Sequence, residues 1–123
     1  MKRPLFQAYV KNSQEAVCLY QKVFHAGISS CYPNPDGTYY HCELDLDGAI
    51  LAVSEQSEED STTGTVMQFC LHYTGEETDK VKHAYEMMKP GAKILHPLSA
   101  CDYSTLMCDL IDCFGIRWCL FVE

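Results

Sequence analysis

The chain has no long apolar run and few basic residues. Its apolar residues never form a stretch of about 18 or more, the length that a membrane-spanning helix needs. Its 9 Lys and Arg residues stand against 17 Asp and Glu residues, which gives a net charge of −8. The acids concentrate in "SEQSEED" (54–60) and "GEETD" (75–79), and no basic stripe compensates them, so a nucleic-acid backbone would be repelled. The sequence therefore argues against a membrane partner and against a nucleic-acid partner.

The eight cysteines lack the spacing of a metal or redox motif, because no two of them stand as C-x-x-C. Most fall inside apolar runs such as "MQFCLHY" and "RWCLFVE", where Cys acts as a small buried hydrophobe. The first residues, "MKRPLFQAYVKNSQ", turn polar too soon for the apolar stretch of a signal peptide. These features favour reduced core thiols over disulfides and predict a cytoplasmic location.

What the chain does contain is a hydrophobic content of 47% over 123 residues, which suits a single globular domain with a real core. Two strand-then-helix units divide it into module one (4–55) and module two (66–123). Between them, the polar, turn-rich segment "QSEEDSTTGT" (56–65) is typical of a surface linker.

Each module begins with a strand and a capped helix. In module one, "LFQAYV" (5–10) precedes a helix over 11–27, for which Asn12 and Glu15 have the spacing of a capping box. In module two, "VMQFCLHY" (66–73) precedes a helix over 74–92, where Thr74 and Glu77 repeat that spacing. The predicted buried stripes of the two helices are Ala16, Tyr20, Val23 and Phe24 in the first, and Val81, Ala84, Tyr85 and Met88 in the second.

Three strand-like segments follow each helix, so both modules read as β-α-β-β-β. The offset between the copies is 63 residues from Tyr9 to His72 and 67 from Gly48 to Gly115, which indicates a duplicated topology. The fold class is therefore α+β, with two tandem modules forming a curved, cup-like mixed sheet that is covered outside by helices. A cup of this kind is a place for a small ligand.

Three sequence segments of these modules resemble those of a known family. The segments "NSQEAVCLYQKVFHAG", "HCELDLDGAILAVSE" and "DCFGIRW" occur in the order found in the vicinal oxygen chelate superfamily, which has the glyoxalase/bleomycin-resistance fold. They are most similar to its PhnB-like branch. The resemblance spans about Leu5 to Glu123 and implies a homodimer, because cups in this family are often completed by a second chain.

The resemblance also implies where a divalent metal would bind in an enzyme of this superfamily. The four ligand positions fall near Leu5, Ala52, Met67 (or Gln68 one register on) and Cys119. They lack the His, Gln and Glu side chains that the family uses. We therefore expect no metal or other cofactor, unless the ligands are re-sited. Ser54 or Glu55 could restore a ligand if the strand register differs by a residue or two.

The strand "YYHCELD" offers the candidate catalytic residues. Strict alternation places Tyr39, His41 and Glu43 on one face, and Tyr40 and Cys42 on the other, apolar face. His41 with Glu43 is a plausible acid/base or polar-recognition pair. The alternative is an ordinary half-exposed strand with polar residues.

Candidate ligand-binding residues come from several predicted strands and one turn. Their polar or aromatic tips could contact a ligand within an apolar cup, although each could equally be a structural residue of the core or a loop. They are Gln7, Tyr9, Tyr39, Ser54, Gln68, His72 and Tyr103.

Three functions are compatible with these residues. The first is a lyase, isomerase or dioxygenase, metal-dependent or not, acting on a small oxygen-rich substrate. The second is a non-catalytic binder of a small molecule, and the third is a structural dimer whose cup is filled by its own side chains. The residues favour the second: a PhnB-like protein that binds a small molecule without the usual metal.

Overall fold

The computed structural model describes residues 1–59 and 61–123. The chain divides into two compact units, Met1–Thr62 and Thr63–Glu123, which correspond to modules one and two. The division falls within the predicted linker 56–65, of which Asp60 lies outside the described residues. Across the described residues, no helix is long and apolar enough to cross a membrane.

Module one has the predicted order of elements. They are β1 (Phe6–Val10), α1 (Ser13–Phe24), β2 (Gly27–Pro33), β3 (Tyr39–Leu46) and β4 (Ala49–Glu55). The strands lie in the spatial order β1-β4-β3-β2, with β1 parallel to β4 and the other neighbours antiparallel. The predicted turn at Asp47-Gly48 joins β3 to β4 with positive φ angles of 55° and 102°, which Gly tolerates at no steric cost.

One face of this sheet packs against α1. The helix residues Ala16, Tyr20 and Val23 are buried as predicted, whereas Val17 takes the place expected for the partly exposed Phe24. Alternate strand residues meet this helix because successive side chains of a strand point to opposite faces. On this face the strand residues at most 2% exposed are Ala8, Val10, Cys42, Leu44, Leu51 and Val53, while Ala52 is fully buried on the opposite face. The opposite face of the sheet does not contact α1. It carries the polar and aromatic side chains of Gln7, Tyr9, His41, Glu43 and Ser54.

Module two repeats this architecture. It contains β5 (Phe69–Tyr73), a 3₁₀ turn (Gly75–Glu77), α2 (Thr78–Met88), β6 (Lys93–Cys101), β7 (Ser104–Ile111) and β8 (Arg117–Val122). The spatial order is β5-β8-β7-β6, with β5 parallel to β8. The predicted helix stripe is buried in full: Val81, Ala84, Tyr85 and Met88. The α+β class and the duplicated β-α-β-β-β topology are therefore confirmed.

The two predicted capping boxes have different outcomes. The Thr74 and Glu77 box is present and begins the 3₁₀ turn before α2. The box predicted for α1 is wrong, because Asn12 is in the left-handed conformation (φ 61°) and its side chain makes no cap hydrogen bond. Instead, the Glu55 carboxylate at the end of β4 accepts hydrogen bonds from the backbone N–H groups of Asn12 (3.1 Å) and Ser13 (2.9 Å).

The turn before β8 is organised by Asp112. Its carboxylate accepts hydrogen bonds from the backbone N–H groups of Phe114 and Ile116, and from the Trp118 indole N–H at 2.9 Å. Trp118 is fully buried and meets Phe69 edge to face. Asp112 therefore forms the turn, and Trp118 anchors the sheet.

Candidate functional site

A cavity of about 830 Å³ opens on the face of module one that lies away from α1. It has the size of sites that take small molecules. Its lining residues come from all four strands and the segments beside them: Gln7, Tyr9, Tyr32, Asn34, Asp36, Thr38, Tyr39, Tyr40, His41, Ser54, Glu55 and Ser57.

Five of the predicted site residues line this cavity. They are Gln7, Tyr9, Tyr39, His41 and Ser54. Two of them are joined directly, since the Gln7 amide N–H donates to Ser54 Oγ at 3.0 Å across the parallel β1–β4 pair. Ser54 is only 7% exposed, so this bond satisfies a buried hydroxyl and fixes the Gln7 side chain.

His41 and Glu43, the predicted catalytic pair, contact each other. His41 Nε2 lies 2.8 Å from Glu43 Oε2, and the His41 side chain is 25% exposed on the cavity wall. Behind it, the Arg3 guanidinium donates to both oxygens of Glu43, at 2.7 and 3.0 Å. The bond from Arg3, and then the bond from His41, lower the pKa of Glu43 to about 2, so Glu43 is an ionised, nearly buried acceptor at neutral pH.

Sequence reasoning missed Arg3 and its counterpart in module two. In β7, Asp109 occupies the place that Glu43 has in β3, since Glu43 pairs with Ala52 and Asp109 with Cys119. Arg117 donates to both oxygens of Asp109, at 3.0 and 2.7 Å. Strand alternation could have identified both residues. Counting by twos places Arg3 on the same face as Leu5, Gln7 and Tyr9, and Arg117 on the same face as Cys119.

The predicted face of Tyr40 is wrong. The pairing of β2 with β3 shifts register between Tyr32 and Pro33, and Tyr40 is the extra residue of this β-bulge. Tyr39 is half-buried and lines the cavity as predicted, and burial raises the pKa of its phenol. Tyr40 is instead 73% exposed and lines the cavity beside His41.

The other three predicted ligand-binding residues lie in module two and do not line this cavity. The Gln68 amide donates to Asp109 Oδ1 at 3.5 Å. The His72 ring stacks on Phe121 with ring centroids 4.4 Å apart, and its Nε2 lies 3.2 Å from Glu123 Oε1. The Tyr103 ring lies edge to face with Phe121, with ring centroids 5.5 Å apart, although the residue is 62% exposed.

The residues at the family's four metal positions do not fit a metal. Leu5 and Ala52 offer no donor atom, and Met67 is a 77% exposed thioether. Cys119 is 3% exposed, and its burial raises the thiol pKa to about 12, which opposes the thiolate that a metal needs. Gln68 is held by Asp109, and the carboxylate of Glu55 is held by the first turn of α1. Within residues 1–59 and 61–123, no group of three or more His, Cys, Asp or Glu side chains converges on a metal-sized site.

Solved structures match this chain over nearly its whole length. The PhnB protein from Bacillus cereus is 21% identical, with a TM-score of 0.83 over 100% of both chains. PA1353 from Pseudomonas aeruginosa is 14% identical, with a TM-score of 0.80 over 100% of this chain and 98% of that one. The fosfomycin resistance protein FosX from Listeria monocytogenes is 14% identical, with a TM-score of 0.71 over 97% and 91% of the two chains.

These matches establish the fold. No protein-family model matches the chain, and no curated protein sequence matches it. The chain thus has the predicted glyoxalase/bleomycin-resistance fold.

Proposed function

We propose that this protein binds a small molecule in the cavity of module one, without a metal at the family's ligand positions. The observation that carries the proposal is the cavity itself: about 830 Å³, with Gln7, Tyr9, His41 and Ser54 among its lining residues. Four tyrosine rings with polar side chains between them give this wall both the aromatic surface and the oriented polar groups that a ligand site needs. The Gln7–Ser54 and His41–Glu43 contacts hold those polar groups in place before any ligand enters.

A metal test separates this proposal from the metal-dependent alternative. A FosX structure contains Mn(II) together with 1S,2S-dihydroxypropylphosphonic acid, so manganese is one ion to try. Protein purified without a histidine tag would be analysed for metal content and melted with nickel, zinc, manganese and iron(II). We expect no stoichiometric metal and no rise in melting temperature. A stoichiometric metal, or a rise of several degrees with one ion, would overturn the metal-free part of the proposal.

A ligand screen followed by two tyrosine variants tests the site. Tyr9 and Tyr103 are similarly exposed, at 59% and 62%, but only Tyr9 lines the cavity. For a ligand found by saturation-transfer NMR, we expect Tyr9→Ala to weaken binding about tenfold or more, and Tyr103→Ala to leave it unchanged. The reverse pattern would move the site to module two, and a broad screen without any ligand would refute the proposed function.

A second candidate function, a metal-independent lyase or isomerase, is favoured by the geometry of His41. An imidazole that donates from one nitrogen to an ionised carboxylate is oriented for proton transfer at the other nitrogen. The test is whether any ligand from the screen is converted by the wild-type protein. Conversion that His41→Ala abolishes while binding persists would establish catalysis; binding without conversion supports the non-catalytic role.

The homodimer and the cytoplasmic location are also part of the proposal. The edge strands β1 and β2 of module one, and β5 and β6 of module two, have backbone groups that a second chain could pair with. Light scattering after size exclusion is expected to give twice the chain mass of 13.9 kDa. A monomer at all concentrations would refute the dimer and leave the ligand site untouched.

A further inference from the structure

We infer that the ligand of the module-one cavity is a planar cation that carries N–H donors, such as an aromatic amidinium or guanidinium. The inference rests on the proposed function and specifies its ligand class. It follows from an inventory of donors, acceptors, charges and rings on the cavity wall.

The amide N–H groups of Gln7 are used within the protein, while the hydroxyl groups of the wall can both donate and accept. Gln7 Nε2 has two hydrogens and donates twice, to the backbone oxygen of Ala8 at 3.2 Å and to Ser54 Oγ at 3.0 Å. Its amide oxygen has no partner among the described residues. Gln7 therefore presents an acceptor to the cavity.

A second chain of bonds links three side chains at the β2–β3 end. Asn34 Nδ2 donates to Thr38 Oγ1 at 3.0 Å, and that hydroxyl donates to Asp36 Oδ1 at 2.6 Å. The Thr38 backbone N–H also donates to Asp36 Oδ1, at 3.0 Å. The Thr38 hydroxyl proton is thus committed, while the second oxygen of Asp36 remains as an acceptor.

His41 contributes its imidazole ring to the wall. Its Nε2 contacts the Glu43 carboxylate at 2.8 Å, so the ring is held in place by the protein before any ligand enters.

The formal charges of the wall have one sign. Asp36 and Glu55 line the cavity, and neither Lys nor Arg is among its lining residues in the described chain. The nearby cations are engaged elsewhere, since Lys11 Nζ bonds the backbone oxygen of Gln56 at 2.8 Å and Arg3 bonds Glu43. An anion would therefore meet the Asp36 carboxylate without a counter-charge, and it would gain no cation from Glu55, whose carboxylate accepts hydrogen bonds from the first turn of α1.

The rings of the wall select for a flat partner. Tyr9, Tyr32 and Tyr40 are 59%, 61% and 73% exposed, which is unusual for large aromatic side chains unless they contact something. Tyrosine faces attract cations and stack on planar groups. Acceptors, carboxylates and ring faces together match a planar cation with N–H groups.

Three probes of the same shape test this inference: 2-naphthamidine as the cation, 2-naphthamide as the neutral isostere and 2-naphthoate as the anion. Their dissociation constants at neutral pH would be measured by NMR titration of the full chain. We expect the amidine to bind about tenfold more tightly than the amide, and the naphthoate most weakly. Equal or tighter binding of the amide or the naphthoate would overturn the inference.

Two matched charge variants locate the effect. Asp36→Asn keeps the oxygen that accepts from Thr38 but removes the charge, and we expect it to weaken amidine binding roughly threefold. Glu86→Gln removes one charge from the exposed surface of α2 in module two and should not change binding. If the two variants weaken amidine binding equally, the preference for the cation comes from the net charge of the protein and not from the cavity, and the inference is overturned.

Failure of this inference can be told apart from failure of the proposed function. If the amide or the naphthoate binds best and Tyr9→Ala weakens it, the cavity is a ligand site and only the ligand class is wrong. If none of the three probes binds, the inference fails. The proposed function then fails with it only if the broad screen also gives no ligand.

Discussion

At the scale of single residues, the most informative group is the Glu43 carboxylate. It is 6% exposed, yet it is ionised, because Arg3 grips both of its oxygens and His41 donates to one of them. A buried carboxylate without such partners would have a raised pKa. The network therefore fixes the charge of Glu43 and holds the His41 ring on the cavity wall.

Glu43 should dominate the stability of the protein in acid. Its folded pKa of about 2 lies below the ordinary value of 4.5, so its contribution is fully present above pH 4.5 and is lost as the pH falls towards 2. Glu43→Gln should lower the free energy of unfolding at pH 7 by about 1–2 kcal/mol, a figure discounted because Arg3 is 48% exposed. Its unfolding free energy should also fall less between pH 4.5 and 2 than that of the wild type.

Urea unfolding at several pH values would measure both effects. Glu86→Gln is the control, because that carboxylate is exposed on α2 and should follow the wild-type curve. An unchanged acid dependence in Glu43→Gln would show that the Arg3–Glu43–His41 network does not stabilise the fold.

At the scale of elements, the start of α1 shows a tertiary contact replacing a local one. The Asn12–Glu15 spacing predicts a local cap, but the chain enters the helix through a left-handed Asn12. Glu55 then receives the two backbone N–H groups and the Ser13 hydroxyl, while Ser13 Oγ accepts the backbone N–H of Tyr39. Because β4 ends beside β1, a carboxylate from 43 positions along the chain is positioned to cap this helix.

Two alanine variants distinguish these caps. Glu55→Ala removes the acceptor of two helix N–H groups and should lower the free energy of unfolding by about 1–2 kcal/mol. Glu15→Ala removes an exposed residue outside the observed cap and should cost less than about 0.5 kcal/mol. Denaturant titration measures both. If Glu15→Ala lowers the free energy of unfolding more than Glu55→Ala does, the local capping box, and not Glu55, stabilises the start of α1.

At the scale of the whole molecule, the cysteines depart from the prediction that most are buried. Cys42, Cys108 and Cys119 are buried, whereas Cys18, Cys31, Cys70 and Cys113 are exposed and Cys101 is intermediate. Cys70 shows the reason. It lies in an apolar run, but its neighbours Phe69 and Leu71 point to the face of β5 that meets the helix. Because successive side chains of a strand alternate, Cys70 points to the opposite face.

Alkylation should follow this division. Burial raises the thiol pKa of Cys42 and Cys119 to about 12 and that of Cys108 to about 11, which suppresses the reactive thiolate as well as access. Iodoacetamide should therefore modify Cys18, Cys31, Cys70 and Cys113 at least about tenfold faster than these three in the native protein. Peptide mass spectrometry gives the rates, and labelling in denaturant should make all eight react alike. Fast native labelling of Cys42 would contradict the burial described above.

The duplicated topology was the most predictable feature of the whole molecule. Tyr9 pairs with Ser54 and His72 with Phe121, so the 63-residue and 67-residue offsets seen in the sequence connect equivalent positions of two sheets. Helix stripes such as Val81, Ala84 and Met88 were also predictable, because a helix against a sheet must bury one face at a period of 3.6 residues.

The sequence by itself determined the periodic features: two β-α-β-β-β modules, the buried faces of their helices, and the turns at Asp47 and Asp112. These depend on interactions between residues a few positions apart. Only the tertiary structure decided the site. Its features depend on which strands lie side by side. They are the bulge at Tyr40, the helix cap from Glu55 and the hydrogen bonds from Arg3 to Glu43. Such contacts join residues up to 43 positions apart, where no local spacing rule applies and only the fold sets the distance.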